Sequence, residues 1–213
     1  MGVPAKICGV TTAEAVAASL AGDAAFLGFA FFEKSPRNVA PEAAARLAEP
    51  VRGKAKVTAL MVDPSDAEVD RVAQILAPDL IQLHGAETPA RARANGERAG
   101  VGIIKALPVA EASDLAAAAD FDGLVEHLMF DTKPAKDADR PGGGGRAFDW
   151  SLMAGRRFQR PWFLAGGLDP WNLAEALRQS GAPMVDVSSG VERGPGLKDP
   201  ALIAAFLDAA RRA

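Results

Sequence analysis

The sequence contains few of the residues that build disulfides, metal centres and membrane spans. Its 213 residues include one cysteine, Cys8, and two histidines, His84 and His127. A single cysteine excludes an intrachain disulfide and a clustered thiolate site, which fits a reducing compartment. The histidines lack metal-ligand spacing, and no apolar run approaches the roughly 20 residues of a membrane span. We therefore expect neither a metal cofactor nor a membrane anchor.

An excess of positive charge and a targeting signal are also absent. The formal net charge of −3 provides no basic face for nucleic acid or anionic lipid. Residues 1–6 show neither a secretory signal nor the hydroxyl residue that myristoylation requires. These features predict a cytoplasmic protein that binds any anionic ligand through local positive groups and has no nucleic-acid partner.

Hydrophobic residues make up 49% of the chain, which is enough for one buried core over residues 1–213. Most of the predicted strands are near-continuous apolar runs, as is typical of parallel strands buried on both faces. The eight predicted strands are residues 5–10, 25–31, 55–62, 79–85, 102–107, 126–131, 163–168 and 184–191.

A predicted helix follows each of these strands. They include a helix over 111–119, a short one at 148–150, and helices that start at Asp169-Pro170 and Asp199-Pro200. A doubly wound sheet is the alternative, but the first strand has no following Gly-x-Gly-x-x-Gly motif. The alternation predicts an α/β fold, a (β/α)8 TIM barrel whose strands all end at one mouth.

Two small-residue turns follow the last two predicted strands. Gly166 and Gly167 form the first turn, and Ser188, Ser189 and Gly190 form the second. Glycine lets backbone N–H groups approach an anion, and a following helix N-terminus adds partial positive charge. One such turn alone is equally consistent with a simple tight turn; two in successive units favour a phosphate site.

Several motifs together resemble the phosphoribosylanthranilate isomerase family. They occur in the family's order at residues 6–9, 35–37, 81–85, 130–131, 142–150, 164–168 and 186–192. The resemblance implies a cofactor-free Amadori rearrangement in tryptophan biosynthesis. The substrate would be N-(5-phosphoribosyl)anthranilate, and the product 1-(2-carboxyphenylamino)-1-deoxyribulose 5-phosphate.

The resemblance also implies the roles of two catalytic residues. Cys8 matches the general base that removes the proton from sugar C2, and Asp131 matches the general acid that protonates the ring oxygen. At neutral pH we expect the site to lower the pKa of Cys8, helped by Lys6, and to raise that of Asp131. Taken alone, Cys8 is more often a buried packing residue than a catalytic base. Asp131 taken alone is as often a helix N-cap or a loop turn residue as an acid.

Three further residues are predicted to bind the substrate. The guanidinium of Arg37 suits the anthranilate carboxylate, which is its role in the family, although an isolated loop arginine is more often solvated. His84 would hydrogen-bond the substrate or orient a catalytic group, or it is a structural histidine. We assign Asp186 to the sugar hydroxyls.

The chain departs from the family in one loop. The family usually has a hydroxyl residue at the position of Gly144, but residues 142–145 are all glycine and predict a mobile loop. A charged insert at 133–140 precedes them. The alternatives to the isomerase are the phosphoribosyl sugar isomerase of histidine biosynthesis and a non-catalytic phosphosugar-binding barrel. The sequence allows a monomer or a homodimer.

Overall fold

The computed structural model describes residues 2–134 and 147–213 of the chain. Gly144, the rest of the predicted glycine loop and most of the charged insert lie outside these residues. The mobile loop and the effect of glycine at position 144 therefore stay predictions.

Eight parallel strands pair in sequential order and close into a barrel, with β8 hydrogen-bonded to β1. This confirms the predicted TIM barrel. The strands are shorter than predicted at several ends because the chain turns into the mouth there. They are β1 Ala5–Cys8, β2 Phe26–Phe31, β3 Lys56–Met61, β4 Leu80–Leu83, β5 Gly102–Val109, β6 His127–Thr132, β7 Phe163–Leu164 and β8 Met184–Val187.

Within residues 2–134 and 147–213, six α-helices pack around the barrel. Side-chain oxygens of Thr12, Ser65, Thr88 and Asp199 cap four of them at the N-terminus. The helices are α1 Ala13–Ala21, α2 Pro41–Ala48, α3 Asp66–Leu76, α4 Pro89–Ala99, α5 Leu173–Ser180 and α6 Pro200–Arg212. None of the helices in the described residues is long and apolar enough to cross a membrane.

Two of the predicted helices are of the 3-10 type. The segment after β5, Ala112–Asp120, and the short one after β6, Trp150–Met153, are 3-10 helices. In the first of these, the buried residues Leu115, Ala118 and Phe121 recur every three positions. That spacing places them on one face of a helix with three residues per turn.

The helix after β7 begins later than predicted. Asp169 accepts hydrogen bonds from the backbone N–H groups of Trp171 and Asn172, at 2.8 Å each. These bonds close a turn, and α5 starts only at Leu173. The longer connection holds the glycines that precede Asp169 at the barrel mouth.

Apolar side chains fill the interior of the barrel below the mouth. Phe26 on β2 and Phe163 on β7 have ring centroids 5.1 Å apart, although these strands are not neighbours. Their contact therefore crosses the barrel interior. The same buried cluster contains Leu80, Ile104, Ala106, Met129, Ala165 and Met184, and it gives the strand ends a rigid base.

An unpredicted hairpin follows β8. It consists of β9 Glu192–Gly194 and β10 Leu197–Lys198, which pair antiparallel before α6 begins. Both of its charged ends, Glu192 and Lys198, turn toward the barrel mouth and take part in the site described next.

Candidate active site

Six of the predicted site residues line one small cavity at the mouth. Its volume is about 70 Å³, and its lining includes Cys8, Arg37, His84, Asp131, Asp186 and Ser188. A second cavity of about 500 Å³ meets it at Val62, His84 and Asp131. The two together have the size of a small-molecule site.

Cys8 ends β1 and lies beside two buried charges. Lys6, two residues earlier on the same face, donates a hydrogen bond of 2.7 Å to Asp186 on β8. A Cβ atom on Gly28 of β2 would lie 3.0 Å from Lys6 Nζ and 3.1 Å from Cys8 Sγ. Because Gly28 has no side chain, the Lys6 ammonium and the Cys8 thiol can both lie against this position.

The predicted lowering of the Cys8 pKa is wrong. Cys8 is 4% exposed, and its burial raises the pKa of the thiol above the ordinary value. The positive charge of Lys6 opposes this effect without overcoming it, and the negative charge of Asp186 adds to it. Burial acts to lower the pKa of Lys6, but Asp186 and Cys8 outweigh it and raise that pKa.

His84 and Asp131 form a contact across the mouth. His84 follows β4 and Asp131 lies on β6, and their Nε2 and Oδ2 atoms are 3.1 Å apart. The backbone N–H of Thr132 donates to the other carboxylate oxygen, Oδ1, at 2.7 Å. The structure therefore places His84 beside Asp131, and both of its predicted roles stay predictions.

The first predicted phosphate turn adjoins Asp131. Gly166 and Gly167 have φ angles of +83° and +66°, which favour glycine. A Cβ atom on Gly166 would lie 2.8 Å from Asp131 Oδ1 and 2.3 Å from Thr132 Oγ1. The absence of a side chain thus lets this turn approach the carboxylate.

The second predicted turn packs against the first. A Cβ atom on Gly190 would lie 1.9 Å from the carbonyl oxygen of Leu168, so only glycine fits there. Ser189 begins the 3-10 helix Ser189–Val191, and the hydroxyl of Ser188 donates to the carbonyl of Cys8 at 3.1 Å. The two predicted turns therefore pack against each other, with Gly166 against Asp131 and Ser188 in the lining of the smaller cavity.

Arg37 is held by a residue to which we assigned no role from sequence. Its Nε and Nη2 atoms donate to the two carboxylate oxygens of Glu192, at 2.7 and 2.8 Å. Lys198 donates to Glu192 at 2.7 Å and to the carbonyl of Ser188 at 2.9 Å. Arg37 keeps its positive charge beside Glu192, which suits a carboxylate ligand, whereas burial lowers the pKa of Lys198 even with Glu192 as its partner.

Arg37 and Glu192 stabilise each other's charges. Burial acts to raise the pKa of Glu192, but the bonds from Arg37 and Lys198 outweigh it and the pKa is lowered. Burial acts to lower the pKa of Arg37, but the hydrogen bond that Arg37 donates to Glu192 outweighs it, and the pKa is raised. The side chain of Arg37 also crosses Gly9, where a Cβ atom would lie 2.4 Å from Arg37 Cδ. The aliphatic part of Arg37 therefore packs against the residue that follows Cys8, and both side chains line the same cavity.

A carboxylate occupies the ends of β3 and β4, where the histidine-pathway enzyme needs a second phosphate turn. Asp63 Oδ1 accepts a hydrogen bond of 2.7 Å from the N–H of Ala86. A Cβ atom on Gly85 would lie 2.5 Å from the same carboxylate. A phosphate at this position would meet a like charge, which disfavours that alternative.

Comparisons with known proteins agree with this geometry. The family model described as N-(5'phosphoribosyl)anthranilate (PRA) isomerase matches residues 5–209. The N-(5'-phosphoribosyl)anthranilate isomerase of Caulobacter vibrioides is 64% identical over 210 residues, which are 98% of this chain and 96% of that relative.

Two solved structures share the fold. The phosphoribosyl anthranilate isomerase of Thermotoga maritima has a TM-score of 0.88 at 33% identity, over 99% of this chain and 100% of the other. A phosphoribosyl anthranilate isomerase bound to reduced 1-(o-carboxyphenylamino)-1-deoxyribulose 5-phosphate has a TM-score of 0.85 at 32% identity and the same coverage. The chain belongs to the N-(5'-phosphoribosyl)anthranilate isomerase family.

Proposed function

We propose that this chain isomerises N-(5-phosphoribosyl)anthranilate to 1-(2-carboxyphenylamino)-1-deoxyribulose 5-phosphate in tryptophan biosynthesis. The observation that supports this proposal most strongly is that one cavity is lined by a thiol, a carboxyl group and an anchored arginine. Two glycine turns adjoin the same cavity. An anionic aminosugar with a carboxylate at one end and a phosphate at the other matches these groups in charge and kind.

The ends of the substrate bind on opposite sides of the mouth in this proposal. Arg37 binds the anthranilate carboxylate through guanidinium N–H groups that Glu192 leaves available, since the fork has five N–H donors and Glu192 accepts two. The phosphate binds the backbone of the two turns, Gly166-Gly167 and Ser188-Ser189-Gly190, near the start of α5. The sugar then lies between Cys8 and Asp131.

The reaction needs one proton donor and one proton acceptor. Asp131 gives its proton to the ring oxygen while the anthranilate nitrogen lone pair forms the C1–N double bond, which opens the ring. Cys8 as thiolate then removes the proton from C2, and the C2–H electrons form the enolamine. Tautomerisation of the enolamine gives the ketone, so the step is an isomerisation without an external oxidant or reductant.

Substrate binding also provides the thiolate that burial of Cys8 disfavours. Asp186 both accepts from Lys6 and raises the pKa of Cys8 through its charge. Hydrogen bonds from the sugar hydroxyls to Asp186 weaken the effect of its negative charge on Cys8. The Lys6 ammonium is then available to stabilise the Cys8 thiolate. The remaining expectations stay proposals: one domain over 1–213, a cytoplasmic location, and a monomer or homodimer.

The test is turnover by the purified chain in the presence of a chelator and without added cofactor. We expect conversion of N-(5-phosphoribosyl)anthranilate and none of the two-phosphate aminoaldose of histidine biosynthesis. Conversion of the second substrate alone would identify the histidine-pathway enzyme. A folded chain that binds phosphosugars and converts neither would be the non-catalytic barrel.

A further inference from the structure

Gln82 is a buried polar residue that the proposed mechanism does not use. It lies on β4, is fully buried inside the barrel, and has no predicted role of its own. Its amide nitrogen is 3.2 Å from His84 Nδ1 and 3.4 Å from the sulfur of Met129 on β6. Its oxygen has no hydrogen-bond partner.

These contacts determine how the amide is oriented. An amide nitrogen has two N–H donors, and the ring nitrogen and the thioether sulfur are two acceptors. The opposite orientation would turn the oxygen toward a sulfur that has no proton to give. The amide therefore donates to Nδ1 of His84, and an Nδ1 that accepts a hydrogen bond carries no proton.

From this geometry we propose that Gln82 is a positioning residue that holds His84 in the neutral tautomer with its proton on Nε2. His84 Nε2 is the ring nitrogen that lies 3.1 Å from Asp131 Oδ2. A proton on Nδ1 would face the amide N–H of Gln82, so the Nδ1–H tautomer is disfavoured.

The consequence for catalysis rests on the proposed function. His84 Nε2 lies 3.1 Å from Asp131 Oδ2, and a ring held in one tautomer presents an Nε2–H donor on the side of this carboxyl group. Gln82 therefore acts through His84 to position the carboxyl group that must give its proton to the ring oxygen.

The tautomer can be measured without any assay of activity. The chain has two histidines, and His127 provides an internal control because its Nδ1 is 2.8 Å from the carbonyl of Pro161. A carbonyl only accepts, so His127 carries its proton on Nδ1. Long-range ¹H–¹⁵N spectra of the parent chain at neutral pH should show opposite tautomers for the two rings. The Nδ1–H tautomer at His84, or its imidazolium, would overturn the proposal.

Two variants test whether Gln82 determines the tautomer of His84. Gln82→Glu replaces the donor with an acceptor of nearly equal size, so it should protonate Nδ1 of His84 and lower kcat at least about tenfold with little change in KM. Gln82→Met keeps the volume and removes the donor, so it should leave the tautomer mixed and lower kcat less than Gln82→Glu. In both variants the His127 resonances should match those of the parent, which establishes that the barrel is folded.

The other charged groups around His84 are unchanged in this comparison. Asp131, Cys8, Arg37 and Asp186 share the smaller cavity with it, and Asp63, Glu87 and Lys105 share the larger one. A His84 ring that keeps the parent tautomer and the parent pH titration in folded Gln82→Glu would refute the inference. A parent chain with the expected tautomer but no turnover would instead refute only the proposed function.

Discussion

Replacing Lys6 with methionine should destabilise the barrel through the charge left behind on Asp186. Lys6 is fully buried, and the Asp186 side chain is 9% exposed. Removal of one partner from a buried ion pair typically costs about 3–5 kcal/mol, because the other charge is left uncompensated. With a urea m-value of about 2 kcal/mol per molar, a loss of about 4 kcal/mol lowers the unfolding midpoint by about 2 M.

The double variant separates this effect from loss of packing. Asp186→Val alone should cost a similar amount, whereas Lys6→Met with Asp186→Val leaves no unpaired charge and should be more stable than either single variant. Lys56→Met is the matched control, because its 3.3 Å contact with Asp79 is exposed and should contribute under about 1 kcal/mol. Single effects that simply add in the double variant, within about 0.5 kcal/mol, would refute the reasoning.

Three further predictions concern the anion sites and the thiol. Glu192→Gln removes the charged partner of Arg37, so KM should rise about tenfold or more while kcat changes little in steady-state kinetics; an unchanged KM would contradict the anchoring role. Gly190→Ala places Cβ 1.9 Å from a backbone carbonyl oxygen of the neighbouring turn, so inorganic phosphate should bind more weakly and unfolding should cost about 1–3 kcal/mol less. Gly194→Ala is its control, because the nearest atom is 3.8 Å away and both properties should match the parent. The pKa of Cys8 in the folded state is raised above its ordinary value of 9.0. At pH values above 9.0 the folded state therefore keeps the thiol proton, whereas the unfolded state loses it. Stability should therefore fall with rising pH above 9.0 by up to about 1.4 kcal/mol per pH unit, and urea unfolding of Cys8→Ser should show a smaller fall.

The barrel could be predicted from the sequence because its strands carry a strong pattern. Continuous apolar runs such as Phe26–Phe31 are buried on both faces, and a sheet closed in sequential order meets that requirement. The 3-10 helix after β5 could not be predicted as such, because its alanine-rich sequence suits an α-helix equally well. Only packing against the barrel selects the three-residue spacing of Leu115 and Ala118.

Site residues could be predicted from the sequence where a family motif lies at the end of a strand. Cys8, His84, Asp131 and Asp186 lie at or beside the ends of their strands, which parallel pairing brings to one mouth. The partner of Arg37 was missed because Glu192 is 155 positions away in the sequence.

The direction of the Cys8 pKa shift could not be predicted from the sequence. Spacing along β1 puts Lys6 on the same face as Cys8, but the balance of burial against charge depends on what neighbouring strands contribute. Asp186 arrives from β8, 180 positions from Lys6, and takes the ammonium as its own hydrogen-bond partner. The pKa of the thiol therefore rises instead of falling.

The central claim is that Cys8 and Asp131 act as base and acid on a substrate that other residues bind. The most direct measurement is kcat and KM for N-(5-phosphoribosyl)anthranilate with the parent chain, Cys8→Ser and Asp131→Asn. We expect kcat to fall at least about a hundredfold in each variant, with KM within a few-fold of the parent. A folded variant that keeps the parent kcat, or that changes only KM, would contradict the assignment of these two residues.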